Sequence, residues 1–266
     1  EEEEHQEGRP SRLRQELHGA VPVIGFAGAP WTLATYLVEG GGSKNFATIK
    51  AMIYSTPALL HQLLDKLART ITLYLNAQIE TGAQVVQLFD TWAGELSPEA
   101  YEEFALAYER QVIEGLRKTD CELNRMRNAE CGMRIEKPSD SPNPQSAIRN
   151  PQSADPIPVI LYINGCGNIL EKMMTSGADV LSIDWRIDLG EAQRRVGDRV
   201  ALQGNVDPCV LLGSRQRVEQ VTRETLAKGG GVGHILNLGH GILPQTPVEN
   251  AQAFVEVATK TERRSL

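Results

Sequence analysis

The sequence predicts an α/β fold built on a parallel β-sheet, and three observations lead to this expectation. Six short apolar segments have strand character, helical patterns lie between them, and the two kinds of segment alternate along the chain. Several strand segments are near-continuous apolar runs, which is typical of parallel strands that helices cover on both faces. Alternation of this kind is found both in barrels and in doubly wound sheets, and the pattern alone leaves the two open.

The six strand candidates are short and well separated. The first is followed by small residues and then by Pro30, which suits the first turn of a helix. A strand that stops at small residues brings its backbone close to whatever lies above it, as in the βα loops that carry active sites in parallel folds. The predicted strands are residues 21–26, 84–89, 159–163, 180–183, 199–202 and 234–238.

Helical patterns fill the intervals between the strands. The clearest begins at Pro57, repeats leucine and isoleucine at helical spacing and ends at Thr81 and Gly82. Another opens with Ser97 as the N-cap and Pro98 at the first helical position. We also expect helices over residues 216–228 and 247–259, and a short helix over residues 11–18 before the first strand.

Composition and charge limit the classes of function. The 266-residue chain carries a formal net charge of −7, whereas nucleic-acid binding needs concentrated Lys and Arg, so we expect no nucleic-acid partner. An anionic small molecule remains compatible with this charge. No apolar run approaches the roughly 20 residues that span a membrane, and the acidic N-terminus does not resemble a signal peptide. Four cysteines do not make a disulfide framework, which indicates a cytoplasmic protein.

One stretch breaks the alternation of strands and helices. Residues 119–156 are polar and Pro-rich, and NPQSAIR at 143–149 is followed at once by NPQSA at 150–154. Such a segment cannot bury enough apolar surface to offset its ordering entropy, so we expect a disordered insertion. The predicted organisation is an acidic tail with a short helix at residues 1–20, then a single domain at 21–266 that this insertion interrupts.

Four segments carry a resemblance to a known family: GFAGAPWTLATYLVEGGGS at residues 25–43, QLFDTWAGELSP at 87–98, LQGNVDP at 202–208 and NLGHGILPQTP at 237–247. In this order they resemble the uroporphyrinogen decarboxylase family. The resemblance implies a (β/α)8 barrel that converts uroporphyrinogen III to coproporphyrinogen III by removing four acetate carboxyl groups, in porphyrin and heme biosynthesis. It also implies a homodimer that works without a cofactor or a metal.

Three residues match catalytic positions of that family. By resemblance, Tyr36 lies close to a substrate carboxylate, Thr91 stands where a serine hydroxyl commonly binds a side-chain carboxylate, and His240 lies near the propionates. Threonine keeps the hydroxyl and adds a methyl group. Structural roles are the alternatives: Tyr36 packing on its own helix, Thr91 starting a turn, or His240 supporting a loop. The glycines on both sides of His240 favour a loop that faces a ligand.

The resemblance also gives a set of substrate-binding residues, namely Phe26, Gly28, Tyr36, Asp90, Thr91, Trp92 and His240. Phe26 and Trp92 would line the apolar face of the macrocycle, or else belong to the core. Asp90 and Asp184 follow strands, where a carboxylate either contacts ligand or caps the next helix. Arg186 is placed to meet an anionic group, with simple solvent exposure as the alternative.

We expect the barrel to be incomplete. Six strand candidates are two fewer than a closed barrel of this type needs. The family's first part carries an arginine-rich loop and the aspartate that holds the pyrrole nitrogens, and nothing before Val21 matches either of them. We therefore expect about six of the eight βα units, and little activity from this chain alone.

Three other interpretations stay open. A corrinoid-dependent methyltransferase of the same superfamily would bind zinc through a His-x-Cys pair and a cysteine in the last glycine loop. Here Cys166 is present, but Asn164 and His240 stand at the other two positions. The second is a non-catalytic fragment that binds a tetrapyrrole or a partner subunit, and the third is a shortened version of an ordinary decarboxylase.

Overall fold

A six-stranded parallel sheet forms the centre of the protein. The computed structural model describes residues 9–40, 43, 45–130, 156–230 and 233–261. All neighbouring strands pair in parallel, and their order in the sheet is the order in the chain. A doubly wound sheet reverses its strand order at a switch point, so the sequential order decides for the barrel type. The strands are β1 (Ile24–Gly28), β2 (Val85–Phe89), β3 (Val159–Ile163), β4 (Val180–Ile183), β5 (Ala201–Val206) and β6 (His234–Leu238).

The six predicted strands are confirmed, and three of them differ in their bounds. β2 starts at Val85 rather than at residue 84. β1 starts three residues later than predicted, at Ile24. β5 runs from Ala201 to Val206, whereas residues 199–202 were predicted. Gly204 interrupts the apolar pattern there, but tertiary pairing overrides it, because residues from Leu202 to Val206 pair with β6 in register.

Helices cover the outer face of the sheet. The predicted helix that begins at Pro57 is present, and so is the predicted helix that opens with Ser97 and Pro98. Ser97 caps this second helix by accepting a hydrogen bond from the Ala100 N–H at 3.2 Å. This helix passes through a π turn at Glu102–Leu106 before continuing. The helices are α1 (Arg9–Glu16), α2 (Pro30–Glu39), α3 (Ala47–Ser55), α4 (Pro57–Glu80), α5 (Pro98–Tyr101), α6 (Ala107–Glu130), α7 (Leu170–Met173), α8 (Leu189–Val196), α9 (Arg215–Lys228) and α10 (Val248–Lys260).

The predicted insertion at residues 119–156 begins later than expected. Helix α6 continues to Glu130, so the first part of that stretch is helical rather than disordered. Residues 119–130 contain neither glycine nor proline and several strong helix formers, which explains the continuation. The remainder, residues 131–155, lies outside the described residues, as does the acidic tail at 1–8. The first helix starts at Arg9, two residues before its predicted position.

The two faces of the sheet have different characters. Alternate residues, such as Val86, Leu88 and Leu161, point outward into one large apolar core beneath the helices. The inner face carries a buried polar layer, in which the Gln203 amide donates to Ser182 Oγ at 2.9 Å. This alternation follows from the two-residue period of a strand and determines which side chains face the centre of the sheet.

Both edges of the sheet are open within the described residues. On β1, Ile24 and Phe26 are 46% and 61% exposed, although both lie on the inner face. The side-chain amide of Gln78, from α4, accepts a hydrogen bond from the Phe26 N–H at 2.8 Å and donates to its carbonyl at 3.0 Å. Gln78 thus occupies part of the place that a neighbouring strand would take. The described helices include none long and apolar enough to cross a membrane.

Close packing of two loops at the carboxyl ends of the strands makes Gly94 a sensitive position. A Cβ atom added there would lie 1.9 Å from the backbone oxygen of Asn164. We expect Gly94→Ala to lower the free energy of unfolding by about 1–3 kcal/mol, because one of the two backbones must move. Urea denaturation measures this change.

Gly167→Ala is the matched control for that substitution. Gly167 lies in the adjacent loop, and an added Cβ there would meet no atom within 4 Å. Its free energy of unfolding should stay within about 0.5 kcal/mol of the wild-type value. Equal unfolding midpoints for the two variants would contradict the proposed loop contact.

Candidate active site

A cavity of about 490 Å³ opens at the carboxyl ends of the strands. This volume lies within the usual range of small-molecule sites. The strands supply inward-facing residues at alternate positions, so that Gln87, Phe89 and Thr91 follow one another along β2 and its loop. The full lining is Gln87, Phe89, Thr91, Tyr162, Ser182, Asn237, Leu238, His240, Gly241 and Ile242.

A row of rings crosses the mouth of the barrel. Phe26 meets Phe89 with ring centroids 5.9 Å apart, Phe89 meets Tyr162 at 5.7 Å, and Tyr162 meets His240 at 6.1 Å. In all three contacts the ring planes meet edge to face, at angles of 90°, 63° and 78°, which is an arrangement that the ring quadrupoles favour. The row gives the site an apolar, aromatic wall, and it connects Phe26 to the cavity through Phe89.

Tyr162 is a site residue that the sequence analysis missed. Its hydroxyl donates to the carbonyl of Gly239 at 2.9 Å and so ties β3 to the loop after β6. Burial raises the pKa of Tyr162 above its ordinary value, so the phenol stays protonated. A signal was available, because Tyr162 stands among the last residues of an apolar strand, at the end where ligands bind in parallel sheets.

Of the three predicted catalytic residues, the cavity brings together Thr91 and His240. Thr91 is half-buried in its wall, whereas His240 is exposed at its rim. The Nδ1 atom of His240 accepts a hydrogen bond from the Gly241 N–H at 2.7 Å. A neutral imidazole in this position therefore carries its proton on Nε2, which leaves a donor for a ligand.

Tyr36 and Gly28 do not line this cavity. Tyr36 lies on α2 and is 46% exposed. Gly28 ends β1 beside Phe89, and a Cβ atom added there would lie 2.7 Å from a methyl group of Leu33. The structure therefore assigns Gly28 to close packing between β1 and α2. The role of Tyr36 stays a prediction.

The structure places Asp90 behind the cavity lining, and its expected contact with the substrate stays a prediction. Its side chain is fully buried and points outward, and its Oδ1 accepts from the N–H of Thr32 at 3.0 Å and from the hydroxyl at 2.7 Å. The two-residue period of the strand is the reason, because Asp90 lies two residues after the outward-facing Leu88, whereas Thr91 lies two residues after the inward-facing Phe89. Trp92 likewise packs away from the cavity lining, with its ring 5.0 Å from that of Phe46.

Arg186 follows the carboxyl end of β4, and two hydrogen-bond acceptors and an aromatic ring contact its guanidinium. One nitrogen, Nη1, donates to Asn164 Oδ1 at 2.7 Å and to the buried carboxylate of Asp184. The guanidinium carbon lies 4.6 Å from the centroid of the Trp185 ring. The side chain is nevertheless 52% exposed. In the described loops that directly follow the six strands, Arg186 is the only lysine or arginine.

The loops after β4 and β6 also pack tightly together. A Cβ atom added at Gly239 would lie 2.7 Å from the backbone nitrogen of Trp185. The amide of Asn205 donates to the carbonyls of Asp184 and Ile187 at 3.0 and 2.7 Å. These contacts hold Arg186 near the loop that carries His240.

A thiolate metal site receives no support from the residues around Cys166. The thiol is buried, and burial raises its pKa to about 12, so that it is neutral. Asn164, two residues earlier, binds Arg186. Over the described part of the chain, no three His, Cys, Asp or Glu side chains gather in a way that would hold a metal ion.

Comparison with known proteins gives a consistent family. The family model described as "Uroporphyrinogen decarboxylase (URO-D)" matches residues 10–261. A uroporphyrinogen decarboxylase from Alcanivorax borkumensis is 46% identical over 255 residues, which cover 96% of this chain and 63% of that protein. One from Pseudomonas fluorescens is 47% identical over 247 residues, which cover 92% and 61%. The chain thus spans somewhat less than two thirds of the curated relatives it matches.

Solved structures agree on the fold. A methyltransferase from Methanosarcina mazei superimposes with a TM-score of 0.69 at 23% identity, covering 94% of this chain and 62% of that one. A B12-independent methionine synthase from Shewanella sp. W3-18-1 gives 0.55 at 11% identity, covering 96% and 68%. At such identities the likeness concerns the fold alone. The sequence comparisons decide the family, and this chain belongs to that of uroporphyrinogen decarboxylase.

Proposed function

We propose that this protein acts in the decarboxylation of uroporphyrinogen III to coproporphyrinogen III, in which four acetate side chains become methyl groups. The observation that carries the proposal is the cavity at the carboxyl ends of the strands. Thr91 and His240, from two of the segments that resemble the family, meet there beside an aromatic wall. The aromatic wall suits the faces of pyrrole rings, and the polar groups suit carboxylates.

The chemistry explains which groups such a site needs. A proton adds to the ring carbon next to the one that bears the acetate, which places cationic character on the acetate-bearing carbon. The bond from the exocyclic carbon to the carboxylate then breaks as carbon dioxide leaves, and its electron pair forms an exocyclic double bond that neutralises the ring cation. The exocyclic carbon then takes a proton and the ring loses one, which restores the pyrrole. The site must therefore stabilise a cation and hold the other carboxylates in place.

Individual residues of the cavity fit these tasks in part. The Thr91 hydroxyl and the Nε2–H of His240 offer hydrogen bonds to carboxylates, and Arg186 offers a charged one. The described cavity lining contains neither Asp nor Glu that would face a pyrrole cation, and Asp90 and Asp184 are both buried. We propose that polypeptide beyond the residues described supplies this carboxylate.

The open sheet indicates where this additional polypeptide would bind. A closed barrel of this type needs eight strands, and the inner faces of β1 and β6 expose Phe26 and Ile235. We propose that two further βα units fill this gap, displace the Gln78 amide from the edge of β1 and complete the site. By the same family resemblance, we propose a homodimer that works in the cytoplasm.

An assay for coproporphyrinogen tests the function directly. We expect little turnover of uroporphyrinogen by this chain alone, and turnover once a polypeptide that supplies two further βα units is added. Binding of uroporphyrin without turnover in either case would instead favour a non-catalytic tetrapyrrole-binding protein. Absence of both binding and turnover in the combined system would overturn the proposal.

Arg186 gives a more local prediction. We expect Arg186→Gln to weaken uroporphyrin binding about tenfold, because a hydrogen bond to a charged group contributes about 1.5–3 kcal/mol and this side chain is half-exposed. The affinity of Arg186→Lys should fall between those of the wild type and Arg186→Gln, because lysine keeps the charge and loses the planar guanidinium. Fluorescence titration measures the affinity, and thermal unfolding verifies that the variants are folded.

The matched control for Arg186 is Arg194→Gln on α8. Arg194 is 72% exposed and pairs with Glu191 on its own helix, away from the cavity lining. Its loss should leave the affinity unchanged. If Arg186→Gln binds uroporphyrin as tightly as the wild type does, and with the same dependence on salt, then Arg186 does not contact the substrate.

A further inference from the structure

Two fully buried carboxyl groups lie side by side behind the cavity wall, and the proposed chemistry uses neither. Asp90 follows β2, Glu109 lies on α6, and both are 0% exposed. The two carboxyl groups are close enough to act on each other and to form a hydrogen bond once one of them is protonated. Two buried acids in contact cannot both be ionised without a large cost, because like charges repel strongly where the dielectric constant is low.

The hydrogen bonds around the pair leave one oxygen of each acid without a donor. Asp90 Oδ1 accepts both hydrogen bonds from Thr32, and Glu109 Oε2 accepts from the hydroxyl of Tyr101 at 2.8 Å. The other oxygens, Asp90 Oδ2 and Glu109 Oε1, are buried and find no donor among the described residues. One proton between them satisfies both, with Glu109 as the donor and Asp90 as the acceptor.

The neighbouring side chains do not neutralise a second negative charge. Tyr101 faces the pair from α5, and burial raises its pKa, so that the phenol is neutral. Cys166, in the turn after β3, acts on Tyr101 and is neutral for the same reason. The cation that acts on Glu109 is the half-buried Arg110, whose guanidinium donates to the Thr175 carbonyl at 2.8 Å. Thr32, from α2, carries no charge.

Burial is the main influence on both acids. It raises the pKa of Asp90 to about 6, against the lowering effect of the hydrogen bonds from Thr32 and Glu109. Burial and the charge of Asp90 raise the pKa of Glu109 well above its ordinary value. Both directions agree with a pair that keeps one proton at neutral pH.

An irregular helix brings the second acid to this place. The Tyr101 hydroxyl donates a hydrogen bond to Glu109 across the π turn at Glu102–Leu106. In a regular α-helix, residues eight positions apart differ by about 80° around the axis. The π turn holds one extra residue, so Glu109 takes the place of a residue seven positions on, about 20° from Tyr101. The two side chains therefore share one face.

The acid pair connects the loop that carries Thr91, helix α2 and helix α6, which carries Glu109. Asp90 directly precedes Thr91 in the cavity wall, and it binds Thr32, which lies one turn before Tyr36 on α2. The hydroxyl of Thr32 accepts from the N–H of Trp92 at 3.2 Å, which closes the loop onto the helix. A change in the pair would thus move the Thr91 loop and α2 together.

We propose that Asp90 and Glu109 share a single proton, and that this acid pair positions Thr91 and helix α2 at the cavity. Neither acid lines the cavity, so both are positioning residues. The positioning role rests on the function proposed above, whereas the shared proton does not depend on it.

Infrared spectroscopy of the wild-type protein tests the shared proton without any substitution. At neutral pH we expect the C=O stretch of a protonated carboxylic acid, which shifts when glutamate carboxyl groups carry ¹³C. Glu109→Gln should abolish this band. Glu114→Gln, which removes an exposed acid from the same helix, should retain it. A wild-type spectrum without a protonated-acid band overturns the proposal.

The pH dependence of folding provides a second measurement. Glu109→Gln keeps a donor for Asp90 and an acceptor for Tyr101 but cannot ionise. The folded wild type holds a proton that the unfolded chain has released, so its stability falls as the pH rises toward the raised pKa of Glu109. From about pH 6.5 to 8, the wild-type unfolding constant should rise about tenfold more per pH unit than that of the variant. Equal slopes contradict the shared proton.

Uroporphyrin affinity tests the positioning role. We expect Glu109→Leu to bind about tenfold more weakly, and Glu109→Gln to restore binding to within about twofold, because only the amide rebuilds both hydrogen bonds. Wild-type affinity in Glu109→Leu overturns the positioning role. If the wild type binds no uroporphyrin even when the polypeptide that supplies two further βα units is added, the proposed function fails, while the infrared result still decides whether the proton is shared.

Discussion

The two-residue period of the parallel strands is the constraint on which the site depends. Along β2 it sends Val86 and Leu88 into the core beneath the helices and Gln87 and Phe89 into the cavity. The same parity continues past the strand, so that Thr91 faces the cavity. The register between neighbouring strands then aligns these inner residues into one wall.

Close contacts between loops keep this wall in place. Gly94 lies against the loop after β3, and Gly239 against the loop after β4, with no room for a side chain at either position. The hydroxyl of Tyr162 adds a hydrogen bond to the Gly239 carbonyl, between strands that are not neighbours in the sheet. The loops at the carboxyl ends therefore form one packed layer, and the orientation of His240 depends on this layer.

The described residues supply few charged groups that could bind a polyacidic substrate. Arg186 offers the cation at the strand ends, and the acid pair behind Thr91 keeps one negative charge rather than two at neutral pH. The proposed function assigns the remaining charged groups to additional polypeptide, for which the open edges of the sheet leave room.

By itself the sequence determined the α/β class, the parallel strands, most helices and the placement of Thr91 and His240 at strand ends, because these follow from local apolar period, caps and glycine turns. Only the tertiary structure decided the sequential strand order and the outward direction of Asp90. It alone placed Tyr162 in the wall and brought Glu109 to Asp90. Those features depend on register and helix packing between distant segments, which no local pattern encodes.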